Sequence, residues 1–276
     1  MFDKNAASRN AYSAIECATE IQPEVLLVMQ SSNALYTDLS TYYDLMCCDI
    51  DYYAQSQAVH RLHQLLGNAG RNNLDLACGT GPHIYHFLSL GYQCTGIDLN
   101  QPMLTLAQAR CPQARFVLQN MCNFTLDQPA DLITCFLYSI HYNSGITQLQ
   151  QCISSVFNAL TAGGMFCFNA VDKDKICNNS MVRHSTHHLD SQFVFESGWH
   201  YAGTGEQQSL KLRIAKINNA ATELWHDEHP MVAVSFAELQ ALLSPLFEVH
   251  ILAHQYDNIV PWDQVSGNAL FVCIKR

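Results

Sequence analysis

A short loop with two glycines follows the apolar run that begins at Leu74, in the stretch LDLACGTGPHIYH. Gly79 and Gly81 carry no Cβ, so a ligand can approach this part of the backbone closely. The next apolar run ends in GIDLN, where the Asp98 carboxylate offers two acceptor oxygens that could bind both hydroxyls of a ribose. The pattern predicts a site for a dinucleotide, a nucleotide phosphate or an adenosine without phosphate.

The spacing of the glycines separates these three ligands in part. A dinucleotide fingerprint, G-x-G-x-x-G, needs a third glycine, but Ile84 stands at that position. A phosphate loop, G-x-x-x-x-G-K-[ST], needs a lysine, and none follows either glycine. An adenosine-type ligand without phosphate fits best, although Asp98 alone would also suit a nicotinamide cofactor.

The composition narrows the class of protein. A chain of 276 residues, of which 49% are hydrophobic and 14% charged, can bury one substantial core with an insertion. A net charge of -10 without a basic run argues against nucleic acid as a partner. With no long apolar window and no leader-like start, we expect a cytoplasmic protein without membrane contact, as a monomer or homodimer with a small-molecule substrate. The 12 cysteines, mostly among apolar neighbours, are expected to be buried, reduced thiols.

The elements that must position the glycine loop follow from the apolar pattern. From residue 73 to Asp174, short and almost wholly apolar runs alternate with helical segments. This alternation is typical of an open α/β sheet, which binds ligands beyond the carboxyl ends of its strands. The glycine loop stands at that end of the first strand. A helix is predicted over Tyr52–Leu66, ending at Gly67.

The pattern changes after Asp174. Residues 176–190 are polar and rich in histidine, which indicates a loop or lid. Three extended segments then follow, separated by turn residues, and we interpret them as an inserted antiparallel sheet. The chain returns through a helix whose start, with Ser235 and Glu238, matches a capping box.

These patterns divide the chain into four segments. Residues 1–35 are predicted to be a helical cap in two pieces around Pro23, and residues 36–174 the ligand-binding α/β core. Residues 175–232 would form the inserted sheet that covers the substrate. Residues 233–276 would complete the core.

Five stretches together resemble the class I S-adenosylmethionine-dependent methyltransferases: LDLACGTG, GIDLNQPML, NMCNF, ADLITCFLYSIHY and LTAGGMFCFN. The resemblance runs from about Tyr42 to the C-terminus. A further stretch, YYDLMCCDIDYYAQ, is similar to a subgroup that includes nucleotide-sugar N,N-dimethyltransferases. The resemblance implies a Rossmann-like sheet of seven strands with the last antiparallel, S-adenosylmethionine as cofactor, and S-adenosylhomocysteine as its product.

The resemblance also implies contacts with the methionine and ribose parts of the cofactor. Asp75, Ala77, Gly79 and Gly81 would surround the methionine part. Asp98 would hold the ribose.

Further contacts are implied around the adenine and the sulfonium. Leu99 and Met103 would flank the adenine, with Asn120 and Met121 beside it. Asn120 replaces the usual aspartate, and its amide oxygen can still accept from the adenine amino group. Tyr43 is expected to contact the cofactor because it lies in the stretch that resembles the subgroup.

Methyl transfer from a sulfonium is an in-line displacement that needs alignment rather than a covalent residue. An amine or hydroxyl acceptor benefits from a nearby base, most often histidine. The candidates are His141, with Tyr142 beside it after the fourth strand, and His229 in the inserted segment. The alternatives are a histidine that only packs at His141 and a cross-strand hydrogen bond at His229.

Two histidine-rich stretches, HSTHH and HDEH, raise the possibility of a metal site. On a strand, His226 and Glu228 point to one face while Asp227 and His229 point to the other, so HDEH cannot place four ligands on one ion. We therefore predict no bound metal.

The sequence thus predicts an enzyme that moves a methyl group from S-adenosylmethionine to a nitrogen, or an oxygen, of a small polar molecule. One alternative is a catalytically silent S-adenosylmethionine-binding sensor or partner subunit. An NAD(P)-dependent oxidoreductase is a second alternative.

Overall fold

Two sheets and six α-helices organise the part of the chain that the computed structural model describes, residues 26–30, 34–219 and 221–276. The elements in chain order are β1 (Leu26–Gln30), α1 (Tyr43–Met46), α2 (Tyr52–Leu66), β2 (Asn72–Leu76), α3 (Pro82–Ser89), β3 (Gln93–Asp98), α4 (Gln101–Arg110), β4 (Arg115–Leu118), β5 (Ala130–Cys135), α5 (Ile146–Ala159), β6 (Leu160–Val171), β7 (Val182–His188), β8 (Ser191–Tyr201), β9 (Gln207–Ile217), β10 (Thr222–Val232), α6 (Phe236–Leu243), β11 (Phe247–Ala253) and β12 (Asn268–Lys275). Short 3-10 turns lie at Ala34–Tyr36, Ser40–Tyr42, Ser139–His141 and Lys173–Lys175.

The core is a seven-stranded sheet in the order β11-β12-β6-β5-β2-β3-β4. The pairs from β6 to β4 are parallel, whereas β12 runs antiparallel to both of its neighbours. All residues of β5 are buried, as expected for a parallel strand covered by helices on both faces. The predicted fold class, a Rossmann-like sheet with the last strand antiparallel, is confirmed.

Local signals define several helix ends as predicted. α2 begins where the Asp51 side chain accepts the Ala54 N–H at 2.8 Å, and it ends before Gly67. α6 begins with a capping box in which Ser235 Oγ accepts the Glu238 N–H and the Glu238 carboxylate accepts the Ser235 N–H. Each cap satisfies backbone donors that have no partner within the helix.

The second sheet consists of β7 to β10, which are inserted between β6 and α6, together with β1 from before the core. It has the order β1-β10-β9-β8-β7, with β7 to β10 antiparallel and β1 parallel to β10. An inserted antiparallel sheet was predicted, but with three extended segments rather than four. Its inner face packs on Leu35, Leu39 and the tyrosine-rich turns before α2.

Two predicted elements are wrong. The polar residues 182–188, expected in a loop, form β7 at the edge of the inserted sheet, where backbone pairing with β8 rather than an apolar face holds the strand. Leu26–Gln30, expected in the helical cap, forms β1, because a short apolar run fits either element and the edge of β10 is available for pairing. The rest of the predicted cap, residues 1–25 and 31–33, lies outside the described residues.

The cysteines of the described residues are all free, and most of them are buried, as predicted. Among the described helices, none is long and apolar enough to span a membrane.

The capping box gives a stability prediction. Ser235→Ala leaves the Glu238 N–H without its acceptor, so we expect the free energy of unfolding to fall by about 1 kcal/mol. Urea denaturation followed by circular dichroism measures the change. Ser154→Ala, at an exposed position inside α5, should shift it by less than about 0.5 kcal/mol. Equal shifts in both variants would contradict a capping role.

Candidate functional site

The glycine loop takes a left-handed backbone at three positions. Ala77, Gly79 and Gly81 have φ values of 51°, 53° and 76°. A positive φ is unusual for alanine, and such strain is characteristic of sites where the backbone must meet a ligand. Gly81 caps the start of α3, and a Cβ there would lie 3.2 Å from the Ala107 Cβ. The loop therefore turns sharply at the carboxyl end of β2.

Asp98, the last residue of β3, fixes this loop. Its Oδ2 accepts the Gly79 N–H at 3.0 Å, and its Oδ1 accepts the Asn100 N–H at 2.8 Å. Burial raises the pKa of the carboxyl, while the N–H groups of Asn100 and Gly79 oppose the rise. Oδ2 keeps a lone pair for a further donor, whereas Oδ1 also accepts the Asn100 side-chain amide at 3.2 Å. The carboxylate can therefore accept one ligand hydroxyl directly and a second in place of that side-chain contact.

A cavity of about 220 Å³ opens at the carboxyl ends of β2, β3 and β5. Eight of the residues predicted to bind or react line it: Tyr43, Ala77, Gly79, Asp98, Leu99, Met103, Met121 and Tyr142. The structure therefore brings most of the predicted site together in one place.

Three predicted cofactor contacts do not line the cavity. Asp75 is buried below the loop, where its Oδ1 accepts the Thr134 hydroxyl at 2.7 Å. Gly81 lies behind the loop at the start of α3. Asn120 is exposed, and its side-chain oxygen accepts the Cys122 N–H at 2.8 Å. Their contacts with a cofactor stay predictions.

Five lining residues were absent from the predicted set: Tyr36, Asn100, Gln119, Leu137 and Ser139. Leu137 follows β5 with a φ of 54°, and the next residue, Tyr138, has a φ of 61°. The Tyr138 N–H donates to Asn169 Oδ1 at 3.0 Å, which holds the strained turn. No glycine marks this turn, so the sequence gives no local signal for it.

Tyr43 is held over the glycine loop by an ion pair. Asp44, the next residue, pairs with Arg110 at the end of α4 and accepts the Thr80 hydroxyl at 2.6 Å. A Cβ on Gly79 would lie 3.8 Å from the Tyr43 ring. The segment that begins α1 is thus anchored to the loop, and Tyr43 faces the cavity.

The geometry does not support His141 as a base. The ring is fully buried and outside the cavity lining. Its Nε2 accepts the Val171 N–H at 3.0 Å, and Nδ1 lies 3.0 Å from the Val232 carbonyl oxygen. Burial lowers the pKa of the imidazole to about 4. His141 therefore joins the ends of β6 and β10, which is the packing alternative.

His229 connects to the cavity through two tyrosines. The Tyr142 hydroxyl lies 2.7 Å from His229 Nδ1, and the Tyr36 hydroxyl lies 2.5 Å from that of Tyr142. On the other side of the ring, Nε2 lies 3.0 Å from the Asp227 carboxylate, close but not aligned as a hydrogen bond. We call this sequence of four side chains the polar chain. His229 and Asp227 are buried, and Tyr142 is partly buried.

Electrostatics determine which group donates and which accepts in each hydrogen bond along the polar chain. The Asp227 charge favours a proton on the nearer nitrogen of His229, Nε2, which leaves Nδ1 to accept from Tyr142. The Tyr142 oxygen can then accept from Tyr36. Burial raises the pKa of both phenols, so both stay neutral. The Tyr36 oxygen is left as an acceptor beside the cavity.

Comparison with known proteins identifies the domain. Residues 74–164 match the family model described as "Methyltransferase domain". These residues are similar to a methyltransferase domain. The predicted resemblance to class I S-adenosylmethionine-dependent methyltransferases is confirmed, and the comparisons support the predicted cofactor.

Two curated relatives are informative. A putative methyltransferase of Geobacillus sp. (strain WCH70) is 26% identical over 163 residues, 57% of this chain and 61% of that protein. The dTDP-4-amino-2,3,4,6-tetradeoxy-D-glucose N,N-dimethyltransferase of Saccharopolyspora spinosa is 27% identical over 115 residues, 42% of this chain and 46% of that protein. The matches thus span about half to three fifths of these relatives.

A solved structure extends the likeness in fold. Streptomyces venezuelae DesVI superposes with a TM-score of 0.76 at 21% identity, over 87% of this chain and 99% of that one. The chain therefore shares its fold with DesVI over nearly the whole of that protein.

The buried Asp75 gives a prediction on pH. Burial raises its pKa from 3.8 to about 7, so its contribution to stability is present below the unfolded-state pKa and is lost as the pH rises through about 7. Asp75→Asn removes this titration. We expect the variant to gain stability relative to the parent between about pH 5.5 and about pH 8.5 in urea denaturation.

Asp127→Asn, at an exposed carboxylate, is the control and should follow the parent at both pH values. If the Asp75→Asn variant also follows the parent, Asp75 does not ionise with a raised pKa.

Proposed function

We propose that this protein is an S-adenosylmethionine-dependent methyltransferase that acts on an amine nitrogen of a small polar molecule. The observation that carries the proposal is one cavity lined both by Asp98 with the glycine loop and by the outer end of the polar chain, Tyr36 and Tyr142. The first group suits an adenosine, and the second offers an acceptor to an N–H donor. The amino-sugar substrate in the Saccharopolyspora spinosa relative's name supports nitrogen as the methylated atom.

The residues present fit the cofactor. Asp98 Oδ2 keeps an acceptor lone pair for one ribose hydroxyl, and a second hydroxyl could replace the Asn100 side-chain amide on Oδ1. The apolar side chains of Leu99, Met103 and Met121 line the same cavity, where an adenine could pack. When bound, S-adenosylmethionine would supply an electrophilic methyl group on a positively charged sulfur. The ring of Tyr43 could stabilise that charge by about 0.5–2 kcal/mol.

The chain's main catalytic contribution would be alignment and exclusion of water. Holding two reactants in line can supply about 7–11 kcal/mol of the barrier. Tyr43, anchored through Asp44, and Tyr36, held by Tyr142, line the cavity side by side, with their ring centroids 5.9 Å apart.

The polar chain would handle the proton of the acceptor. An amine must present its lone pair to the methyl group, so a proton has to leave the nitrogen before or after transfer. The Tyr36 oxygen can accept a hydrogen bond from this N–H. A shift of protons along Tyr36, Tyr142 and His229 would then leave the positive charge on the imidazole, where the Asp227 carboxylate stabilises it.

The cofactor assignment predicts the effect of Asp98. Asp98→Ala removes the proposed ribose acceptor and the anchor of the Gly79 N–H, so we expect affinity for S-adenosylhomocysteine to fall at least tenfold, about 1.4 kcal/mol. Isothermal titration calorimetry measures this affinity. Asp98→Asn, which keeps one acceptor oxygen, should lose less. Asp127→Ala is the matched control, because its carboxylate lies on the surface beside Arg115.

If Asp98→Ala binds S-adenosylhomocysteine as tightly as the parent does, the assignment of Asp98 to the ribose is wrong. If the parent binds neither S-adenosylmethionine nor S-adenosylhomocysteine, the proposed function is wrong.

The reaction assignment is tested with isotope-labelled S-adenosylmethionine. The protein is incubated with a panel of amino sugars, nucleotide-linked amino sugars and simple amines, each matched to its hydroxyl analogue, and products are identified by mass spectrometry. Label on the amines alone supports transfer to nitrogen. Label on the hydroxyl analogues would overturn that choice, and binding without transfer to any compound would favour the silent sensor.

The polar chain predicts a separation of catalysis from binding. With a substrate found by this panel, Tyr36→Phe should lower kcat on the order of 10²-fold. The reason is that the polar chain loses the hydroxyl oxygen that would accept a hydrogen bond from the substrate N–H. Binding of S-adenosylhomocysteine should stay within about twofold. Combining it with His229→Gln should add little further loss, since the groups act as a unit. Tyr53→Phe, on the exposed face of α2, is the control.

A kcat of Tyr36→Phe within about twofold of the parent would show that alignment alone carries the reaction.

A further inference from the structure

Three side chains with different donor atoms meet beside the inserted sheet. Cys48 and Asp49 follow α1, and His184 lies on β7, more than a hundred positions along the chain. A sulfur, a carboxylate oxygen and a ring nitrogen of these residues all lie within 4.8 Å of one another. We call them the Cys-Asp-His cluster. None of its members lines the cavity of the proposed active site.

The donor set has a clear chemical preference. A thiolate with an imidazole and a carboxylate favours Zn²⁺ over Mg²⁺ or Ca²⁺, which prefer oxygen ligands. Three protein ligands also leave the fourth tetrahedral position free for a water molecule.

The distances are close to those around one ion. Bonds of about 2.0–2.3 Å in a tetrahedron place ligand atoms about 3.3–3.8 Å apart. The Cys48 sulfur and Asp49 Oδ1 are already 3.7 Å apart. Both residues are exposed, so a change of rotamer is enough to bring the remaining atoms into range.

His184 is the oriented member of the cluster. Its ring stacks on Phe195 with the centroids 5.1 Å apart and the planes at 21°. One ring nitrogen, Nε2, lies 3.4 Å from the Leu45 carbonyl oxygen. Contacts of this kind commonly fix the ring of a ligating histidine.

We propose that the Cys-Asp-His cluster binds one Zn²⁺ ion per chain. On binding, the Cys48 thiol loses its proton to solvent and the sulfur forms a bond to the ion, together with a ring nitrogen of His184 and a carboxylate oxygen of Asp49. No oxidation or reduction takes place. Histidines at HSTHH were considered as metal ligands in the sequence, and one of them is used here with partners from another part of the chain.

The ion would join two parts of the fold that matter for the cavity. The segment that carries Cys48 also carries Tyr43, which lines the cavity, and β7 belongs to the inserted sheet. Apolar packing already connects them, since Tyr43 and Leu45 pack against buried apolar side chains that include Phe193 and Phe195. A bound ion would add a bridge at the edge of this contact and so reduce the freedom of the Tyr43 segment.

The test measures metal binding directly. Chelator-treated, reduced protein is titrated with Zn²⁺ by calorimetry and with Co²⁺ by absorption spectroscopy, and bound metal is counted after dialysis. We expect one ion per chain and a thiolate-to-Co²⁺ charge-transfer band. Cys48→Ala should abolish the band, and Cys48→Ala and His184→Ala should each lower Zn²⁺ affinity at least tenfold.

Matched controls keep this outcome specific. Cys177→Ala removes another exposed thiol, and His187→Ala removes an exposed histidine of the same strand on the opposite face. Both should bind as the parent does, and circular dichroism should show that all four variants are folded. Absence of binding by the parent, or equal binding by all variants, would overturn the proposal. No methyl donor takes part in these measurements, so their failure leaves the proposed function untouched.

A second readout tests the bridge. Zn²⁺ should raise the thermal unfolding midpoint of the parent and of Cys177→Ala but not that of Cys48→Ala. A rise of the same size in Cys48→Ala would place the ion elsewhere.

Discussion

The site depends on one interaction, the acceptance of the Gly79 N–H by the buried carboxylate of Asp98. It joins the loop after β2 to the end of β3, and through Asn100 it also reaches the start of α4. A buried carboxylate is costly unless its oxygens are hydrogen-bonded, and the backbone donors offset that cost. Because one of those donors, the Gly79 N–H, comes from the loop itself, the same contact that stabilises the charge also shapes the turn around which the cavity forms.

The other wall of the cavity and the groups behind it come from residues far apart in the chain. Tyr36 precedes the core, Tyr142 follows β5, and His229 and Asp227 come from β10 of the inserted sheet. Their close contacts mean that the inserted sheet cannot shift on the core without separating the polar groups. Unpaired polar groups in a buried position are expensive, so the polar chain also fixes how the two sheets sit together.

Much of the fold could be predicted because its signals are local. The helix Tyr52–Leu66, the cap at Ser235 and the alternation of buried strands with helices depend on neighbours within a few residues. The error at β7 concerns non-local pairing, because β8 holds this segment as an edge strand. The contacts of His141 with the backbone of distant strands are non-local in the same way. For the site, the glycine loop and Asp98 could be predicted from the sequence. The position of Tyr36 could not, because it depends on tertiary contacts that leave no pattern of spacing in the sequence.

The order of groups in the polar chain has a physical reason in the proposed reaction. The sulfonium carries a positive charge, so an imidazolium at the cavity wall would repel the cofactor. Tyrosines at the wall avoid this, because burial keeps their phenols neutral while their oxygens still accept hydrogen bonds. His229 lies behind them, next to Asp227, where a positive charge is neutralised. Placing the histidine two phenols away from the acceptor therefore lets the site take up a proton without placing a cation beside the methyl donor.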